Sequence, residues 1–158
     1  MLAYRLLGDP DTMDDVLQEA YLKAYRAYPS FTHRAAPSTW LYRIVYNCCL
    51  DRLRALQRER GRTGAPASLD VLAEFGVEPV APGDVSAHVE ERDALGEALS
   101  ALPPDQRAAV LLVDAMGHGY RSAAEVLGVR PGTVASRLSR ARAALRDALT
   151  HTRPEEER

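Results

Sequence analysis

Cysteine is scarce in this sequence, and the few cysteines present are poorly placed to cross-link a fold by disulfides. The only two cysteines, Cys48 and Cys49, are neighbours along the chain. Small secreted domains that depend on disulfides carry several well-spaced cysteines, so this pair indicates two reduced core residues of an intracellular protein. The histidines are also few and lack zinc-ligand spacing, so we expect neither a metal nor a cofactor. They are His33, His88, His118 and His151.

Long apolar runs and strand patterns are missing as well. No run approaches the ~18 apolar residues of a membrane span, and the N-terminus lacks a basic segment followed by an apolar core. We therefore expect a cytoplasmic location and no membrane partner. Strand alternation with hairpin turns is also absent, and nearly every periodic stretch has the helical period. The sequence predicts an all-α fold.

Two long helices are predicted in the first third of the chain. The first begins near Thr12, with Thr12 or Asp11 as its N-cap, and Pro29 ends it. The second runs from about Ser38 to Arg60. The apolar stripe of the first helix is predicted to comprise Val16, Leu17, Ala20, Tyr21, Ala24, Tyr25 and Tyr28.

Glycine and proline then divide the chain. They are frequent from residue 63 to residue 88, which is the composition of a flexible linker. We predict two small helical domains, over residues 1–62 and 89–150, joined by that linker and followed by a tail over 151–158. Each domain has only about 60 residues, a size at which a fold is marginal alone.

Charge is balanced overall but segregated along the chain. The formal net charge is −2 and the pI is near 6.1. Residues 40–62 carry six arginines and two acids, and residues 121–149 again carry six arginines and two acids. Residues 66–106 carry nine acids and one base. Two basic patches therefore flank an acidic middle, which is more informative than the sum.

The second predicted helix has two unlike faces when its residues are placed at ~100° intervals. Its core face comprises Leu41, Ile44, Val45, Cys48, Cys49 and Leu56. The opposite side, which we call the stacking face, comprises Trp40, Arg43, Asn47 and Arg54. An indole, guanidinium groups and an amide in one row suit unpaired DNA, through base stacking, phosphate contact and base-edge hydrogen bonding. The alternative is that Trp40 covers a packing interface and the arginines are solvated.

The stretch from Tyr120 to Leu149 has the pattern of a helix-turn-helix motif. A short helix ends at Gly128, which suits a positive-φ turn, and the next helix starts with Thr133 as its cap. The buried stripe of that helix comprises Val134, Leu138, Ala141, Leu145 and Leu149.

Polar residues of this last helix are predicted to face DNA. The outward positions near its start, which we call the reading face, are Thr133, Ser136, Ser139 and Arg140, with Arg137 on the flank. In a helix-turn-helix these positions enter the major groove, where Arg can bond guanine bidentately. Arg142 and Arg146 lie further along and suit phosphate contacts. The alternative is an amphipathic bundle helix with a solvated arginine face.

Several segments together resemble the sigma-70 family of bacterial transcription initiation factors, in its extracytoplasmic-function group. DDVLQEAYLKAYRAY resembles region 2.2, and STWLYRIVYNCCLDRLR resembles regions 2.3 and 2.4. ALPPDQRAAVLL with GYRSAAEVLGVRPGTVASRLSRARAALRDAL resembles region 4. The order of these segments is more specific than any one of them.

The resemblance implies a non-enzymatic factor that joins core RNA polymerase, recognises the −10 and −35 promoter elements and helps to melt DNA. Region 2.2 would grip the β′ clamp helices through Asp14, Asp15, Gln18 and Glu19. The stacking face would bind the melted −10 element, whereas region 4 would read the −35 element through the reading face and dock on the β flap. An anti-sigma factor that holds the protein inactive is a further partner that the resemblance implies.

Two departures from the family pattern accompany the resemblance. Met1 falls late relative to that pattern, so part of region 2.1 is expected to be missing. Ala135 stands where relatives commonly have Arg or Lys, so one DNA contact is expected to be absent.

Two other function classes remain open from the sequence. An autonomous helix-turn-helix regulator would use only the C-terminal half and would dimerise on a palindromic site. A metal-dependent nuclease could use Asp14, Asp15 and Glu19, but acids are also favoured in the first turns of a helix by the helix dipole. No nucleophile–base pair or phosphate-binding loop supports an enzyme.

Overall fold

A computed structural model describes residues 2–63 and 94–151, and every regular element in these two stretches is helical. The all-α prediction is confirmed for them. The helices are α1 Leu2–Leu7, α2 Pro10–Ala27, α3 Pro37–Thr63, α4 over residues 94–101, α5 Pro104–Val110, α6 Tyr120–Leu127 and α7 Pro131–His151. A 3₁₀ turn, Tyr28–Ser30, follows α2, and a turn of π-helix, Leu111–Ala115, extends α5.

The start of α2 differs from the prediction. Asp9 is the N-cap, with an extended backbone and a carboxylate that accepts a hydrogen bond of 2.8 Å from the Thr12 amide. Thr12 and Asp11 therefore lie inside the first turn, and their prediction as caps is wrong. The reason is Pro10, whose fixed φ and missing N–H suit the first helical position, so the residue before it becomes the cap.

The predicted apolar stripe of α2 is only half correct. Val16, Ala20 and Ala24 are buried at a spacing of four residues. Tyr21 and Tyr25 lie about 100° further round the helix and are exposed to 64% and 83%, and Tyr28 is exposed to 63%. The three tyrosines were wrongly placed in the core, because α2 buries a narrower stripe than its apolar residues would fill.

The long helix α3 runs one residue earlier and three residues later than predicted. Cys48 and Cys49 are 1% and 0% exposed, as the predicted core face requires. Tyr46 is also buried, at 2% exposure, although its place outside that face gave no hint of burial.

The helix-turn-helix is formed by α6 and α7. Gly128 takes φ +66° and ψ 32° and ends α6, with its amide donating to the Ala124 carbonyl. This left-handed conformation is easy for glycine and costly for other residues. Helix α7 then begins at Pro131, and the Thr133 amide already donates to the Arg130 carbonyl, so Thr133 lies within the first turn and is not the cap. The predicted stripe of α7 is confirmed at its buried residues Val134, Leu138 and Ala141.

The helices of the N-terminal and C-terminal stretches pack against each other. Helix α3 lies along α6, and α1 contacts α5. Buried side chains consequently form one cluster, which includes Leu6, Tyr46, Leu112, Val126 and Leu138.

Several predictions fall largely outside the described residues. Of the linker predicted over 63–88, only residue 63 is described, as the end of α3, and of the tail predicted over 151–158 only residue 151 is described. The bounds of the two domains stay predictions. No helix within the described part of the chain is long and apolar enough to cross a membrane.

Candidate nucleic-acid interface

The reading face lies on the first three turns of α7. Ser139 and Arg140 are exposed, whereas Thr133 and Ser136 are half-buried. The Ser136 hydroxyl donates to the Thr133 carbonyl over 3.0 Å, which leaves the oxygen's lone pairs available to a base edge. Ala135, half-buried between them, offers only a methyl group. The face is therefore a small polar surface with one exposed guanidinium at its end.

Two other arginines of α7 are held by acids of the same half of the chain. Arg137 Nε lies 3.0 Å from Asp105 Oδ2, and the Arg137 side chain is only 20% exposed. Arg142 donates from Nε and Nη2 to the two oxygens of Asp114, over 3.0 and 2.5 Å, and this hydrogen bonding raises the pKa of Arg142. Asp105 and Asp114 were not singled out in the sequence, because nothing local pairs α5 and the turn after it with α7.

The stacking face begins in an aromatic group. The ring of Trp40 lies 4.8 Å from that of Phe31 between centroids, and Phe31 lies 4.5 Å from His33. His33 has a left-handed φ of 54°, which is uncommon for a residue with a side chain. Trp40 is thereby half-buried, with its aromatic neighbours on the loop that precedes α3.

The remaining stacking-face residues follow Trp40 along α3. Arg43 and Asn47 are exposed, one and two turns further on. Arg54 is exposed too and lies 3.4 Å from Asp51, a surface contact of little energetic weight. The structure therefore brings Trp40, Arg43 and Asn47 onto one side of α3, with Arg54 at its far end.

The stacking face and the helix-turn-helix meet at a cleft. Its volume is about 320 Å³, and its lining includes Arg43 from α3 with Arg121, Glu125, Gly128 and Pro131 from the motif. Arg43 Nη2 lies 3.9 Å from the position that a Cβ atom on Gly128 would occupy. Arg43 therefore faces the turn that leads into α7.

A third surface lies on α2. The acids and amide predicted to bind polymerase, Asp14, Asp15, Gln18 and Glu19, are all exposed, and Glu19 pairs with Lys23 over 2.7 Å. Large apolar side chains continue this surface towards the end of the helix. They are Tyr21, Leu22, Tyr25 and Tyr28, each more than half exposed. The sequence signal for them was present, since three tyrosines at spacings of four and three share one helix face, but we assigned it to the core.

In the described stretches, possible metal ligands do not cluster, and the two cysteines are buried. No cluster of three His, Cys, Asp or Glu residues there could hold a metal ion. Burial raises the pKa of both cysteine thiols, that of Cys49 to about 12, so both stay protonated and unreactive.

Family models and known proteins match both helical parts of the chain. Residues 1–59 match the family model Sigma-70 region 2, and residues 92–145 match Sigma-70, region 4. The chain is 48% identical over 132 residues to the ECF RNA polymerase sigma factor SigM of Mycobacterium tuberculosis. The aligned residues cover 84% of this chain and 61% of that protein. It is 36% identical over 140 residues to SigC of the same species, covering 88% and 71%.

A solved structure is similar over nearly the whole chain. It is the sigma factor RpoE in complex with the anti-sigma factor NepR from Bartonella quintana, with a TM-score of 0.75 and 28% identity. The match covers 96% of this chain and 89% of that one, so it includes both helical stretches and their arrangement.

Proposed function

Because this chain belongs to the extracytoplasmic-function group of sigma-70 RNA polymerase sigma factors, we propose that it recruits core polymerase to promoters and helps to open them. Like its relatives, it would act as a transcription initiation factor and not as an enzyme. Its place of action would be the cytoplasm, where bacterial polymerase meets its template. The observation that carries the proposal is the presence, in one chain, of a reading face on a helix-turn-helix and a stacking face on α3.

The reading face is assigned to the −35 element. Arg140 is exposed and forms no ion pair with another described residue, so it is the residue best placed for a bidentate contact with guanine. Thr133, Ser136 and Ser139 would complete the contact with hydroxyl groups. Because Ala135 has no polar atom in its side chain, the preferred −35 sequence would differ from that of relatives with a cation there.

The arginines beside the reading face would position the motif on its site. Arg142 and Arg146 lie beyond it along α7 and suit phosphate oxygens, with Arg142 oriented by Asp114. Arg137 is tied to Asp105, so we assign it mainly to holding α7 against α5. The role of Arg137 as a reader of the −35 element stays a prediction.

The stacking face is assigned to the melted −10 element. Trp40 and its aromatic neighbours offer ring surfaces to unstacked bases, each worth about 1–3 kcal/mol by analogy with single-strand binders. Arg43 and Arg54 would follow the phosphates, and Asn47 can bond a base edge. Stacking of this kind favours the open strand over the duplex, which is how binding would assist melting.

Two protein partners follow from family membership. Asp14, Asp15, Gln18 and Glu19, extended by the exposed tyrosines of α2, would bind the β′ clamp helices, and the C-terminal helices would dock on the β flap. The solved RpoE structure contains an anti-sigma factor, and we infer that an inhibitor of that kind can bind this chain. The whole of this assignment is proposed for a chain that spans 61% of the length of SigM.

Promoter-dependent transcription with purified components tests the proposal. DNA fragments bound by the reconstituted holoenzyme would first be sequenced to obtain the promoter, which then serves as a run-off template. We expect a transcript that needs both core polymerase and this chain and that falls when Arg140 is replaced by alanine. The alternative is an autonomous regulator. It would be indicated if a dimer of this chain bound a specific site tightly without polymerase and if adding the chain to core polymerase gave no transcript.

A further inference from the structure

Most of the large apolar side chains exposed in the described stretches lie on α2 or directly after it. Tyr21, Leu22 and Tyr25, which we call the apolar strip, are 64%, 56% and 83% exposed. At ~100° per residue they fall within about 100° of arc, on the side of α2 that faces away from the buried Ala20. The strip is therefore a continuous apolar surface in contact with solvent.

The charges of α2 are segregated along its length. Acids occupy its first half and bases its last two turns, and these residues are Asp11, Asp14, Asp15, Glu19, Lys23 and Arg26. Glu19 pairs with Lys23 over 2.7 Å. Asp15 and Arg26 are instead exposed and form no ion pair with another described residue. An unpaired negative charge thus precedes the apolar strip, and an unpaired positive charge follows it.

These two unpaired charges lie on the same flank of the strip. Positions 15 and 26 are only about 20° apart around the helix and about 16 Å apart along it, at ~100° and ~1.5 Å per residue. A two-fold axis beside α2, level with the midpoint between Ala20 and Tyr21, is equally far from both. In an antiparallel pair about that axis, Asp15 of each copy lies opposite Arg26 of the other.

The same axis brings the apolar strips together. The two copies of Tyr21 are offset by only about 1.5 Å along the helix, and the two copies of Leu22 by about 4.5 Å. Tyr25 of one copy falls within one turn of Gln18 of the other. A parallel pair would instead set Asp15 against Asp15, so the charge pattern selects the antiparallel arrangement of two copies.

We propose that the chain forms a reversible homodimer through α2, with two copies paired antiparallel about this axis. Helix α2 has 18 residues, so its face is about 27 Å long and about 10 Å wide. An interface confined to that face buries roughly 700 Å² in total, below the ~1,200 Å² of stable complexes. The dimer is therefore weak, with a dissociation constant on the order of 10–100 μM.

The dimer would also cover the surface assigned to the β′ clamp helices. Asp14, Asp15 and Gln18 lie on the same side of α2 as the strip, so a paired α2 cannot present them to polymerase. Monomers alone would then bind core polymerase, and polymerase would draw the dimer apart by mass action. This consequence rests on the proposed function, whereas the dimer itself does not.

Sedimentation equilibrium of the full chain without DNA measures the dimer, over loading concentrations from about 1 to about 500 μM. We expect Asp15→Arg or Arg26→Asp alone to weaken dimerisation about tenfold, because like charges then meet twice. The double variant Asp15→Arg/Arg26→Asp should recover it, because opposite charges again face each other. A chain that stays monomeric over the whole range would overturn the proposal, as would a double variant that dimerises no better than the single ones.

The apolar strip is tested by a matched pair of tyrosines. Tyr25→Ser should weaken dimerisation about tenfold, since a central aromatic side chain carries much of the energy of a small interface. Tyr120→Ser removes a tyrosine that is 44% exposed on α6 and should leave dimerisation unchanged. Equal effects of the two substitutions would contradict the proposed interface. If Tyr25→Ser weakens only the binding of core polymerase and the unmodified chain is monomeric, the strip serves polymerase alone and the dimer is refuted.

Disulfide cross-linking tests the position of the axis. Tyr21→Cys places one new thiol beside the axis, whereas Asp11→Cys places it about 29 Å along the helix from its own copy. The native cysteines are buried and should not interfere. With a mild oxidant we expect a covalent dimer from Tyr21→Cys and none from Asp11→Cys at the same concentration. Equal cross-linking of the two variants would overturn the antiparallel pairing.

Core polymerase then separates the dimer from the proposed function. The oxidised Tyr21→Cys dimer should bind core polymerase at least about tenfold more weakly than the same variant reduced with dithiothreitol. Binding of equal strength would refute the exclusion of polymerase by the dimer. If neither this variant nor the unmodified chain binds core polymerase in any form, the proposed function fails, while sedimentation and cross-linking still decide the dimer.

Discussion

Replacing Arg137 and Arg140 separately by alanine should separate holding from reading in the recognition helix. Arg140 is exposed, and loss of a bidentate contact to guanine costs ~1–3 kcal/mol, or roughly 5- to 150-fold in affinity for the cognate −35 element. The stability of the Arg140→Ala variant should change by less than about 0.5 kcal/mol, as for other surface substitutions. Arg137→Ala should instead lower stability and leave base preference at the −35 element unchanged.

The cost for Arg137 follows from its ion pair. Because its side chain is 20% exposed but that of Asp105 is 42% exposed, water screens the pair in part, and we expect about 1 kcal/mol of destabilisation. For a chain of this size that lowers the melting temperature by about 2–4 °C. Asp105→Asn should cost a similar amount, since the asparagine oxygen can still accept from the Gln106 amide, and the double variant should cost less than the sum.

Thermal unfolding of each variant chain would measure its stability. Fluorescence anisotropy of the holoenzyme on −35 duplexes, with each base substituted in turn, would measure its affinity and base preference. The reasoning would be refuted if Arg137→Ala relaxed base preference at one −35 position without lowering stability. It would also be refuted if Arg140→Ala left affinity and base preference unchanged.

Three further outcomes are expected. Gly128→Ala should lower the free energy of unfolding by about 1–2 kcal/mol, because φ is +66° there. The control is Gly132→Ala, in helix α7 with open space around it, which should be neutral or stabilising in the same thermal assay. Asp9→Ala should cost ~1 kcal/mol at neutral pH by loss of the cap. Hydrogen bonding to Thr12 lowers the pKa of Asp9, so the stabilisation from this carboxylate is complete above the unfolded-state pKa near 4 and is lost as pH falls through the lowered folded-state pKa. Asp9→Asn should keep the cap without this acid dependence. A flat profile of stability against pH for the unmodified chain would contradict the argument. The adjacent cysteines should resist alkylation in the folded chain and react on unfolding, as measured by mass spectrometry; fast labelling at pH 8 would show that they are not buried.

The sequence predicted the elements with strong local signals and erred where tertiary packing decides. The positive φ of Gly128 follows from local chemistry and was predicted correctly. The buried stripe predicted for α7 is buried only in its first part, since Leu145 and Leu149 are half-buried. The exposed tyrosines of α2 were misplaced, because a period of 3.6 identifies which residues share a face but not how wide a face the neighbouring helices cover.

The pairing of arginines with acids was also beyond the sequence. Asp105 lies 32 positions before Arg137, and Asp114 lies 28 positions before Arg142, so only the packing of α5 and its π turn against α7 brings them together. The predicted roles of the site residues in binding DNA and polymerase likewise remain to be tested by the experiments above.

The placement of these acids bears on why the chain would depend on polymerase. Non-specific affinity for DNA grows with the number of phosphates that free cations neutralise. Of the six arginines between residues 121 and 149, two are already matched by carboxylates of the same chain, and the formal net charge is −2. Fewer counterions can then be released on binding, so an isolated chain should hold DNA weakly and lose that binding at moderate salt. Contacts shared with core polymerase would supply the missing affinity, and promoter recognition would then be a property of the assembled holoenzyme.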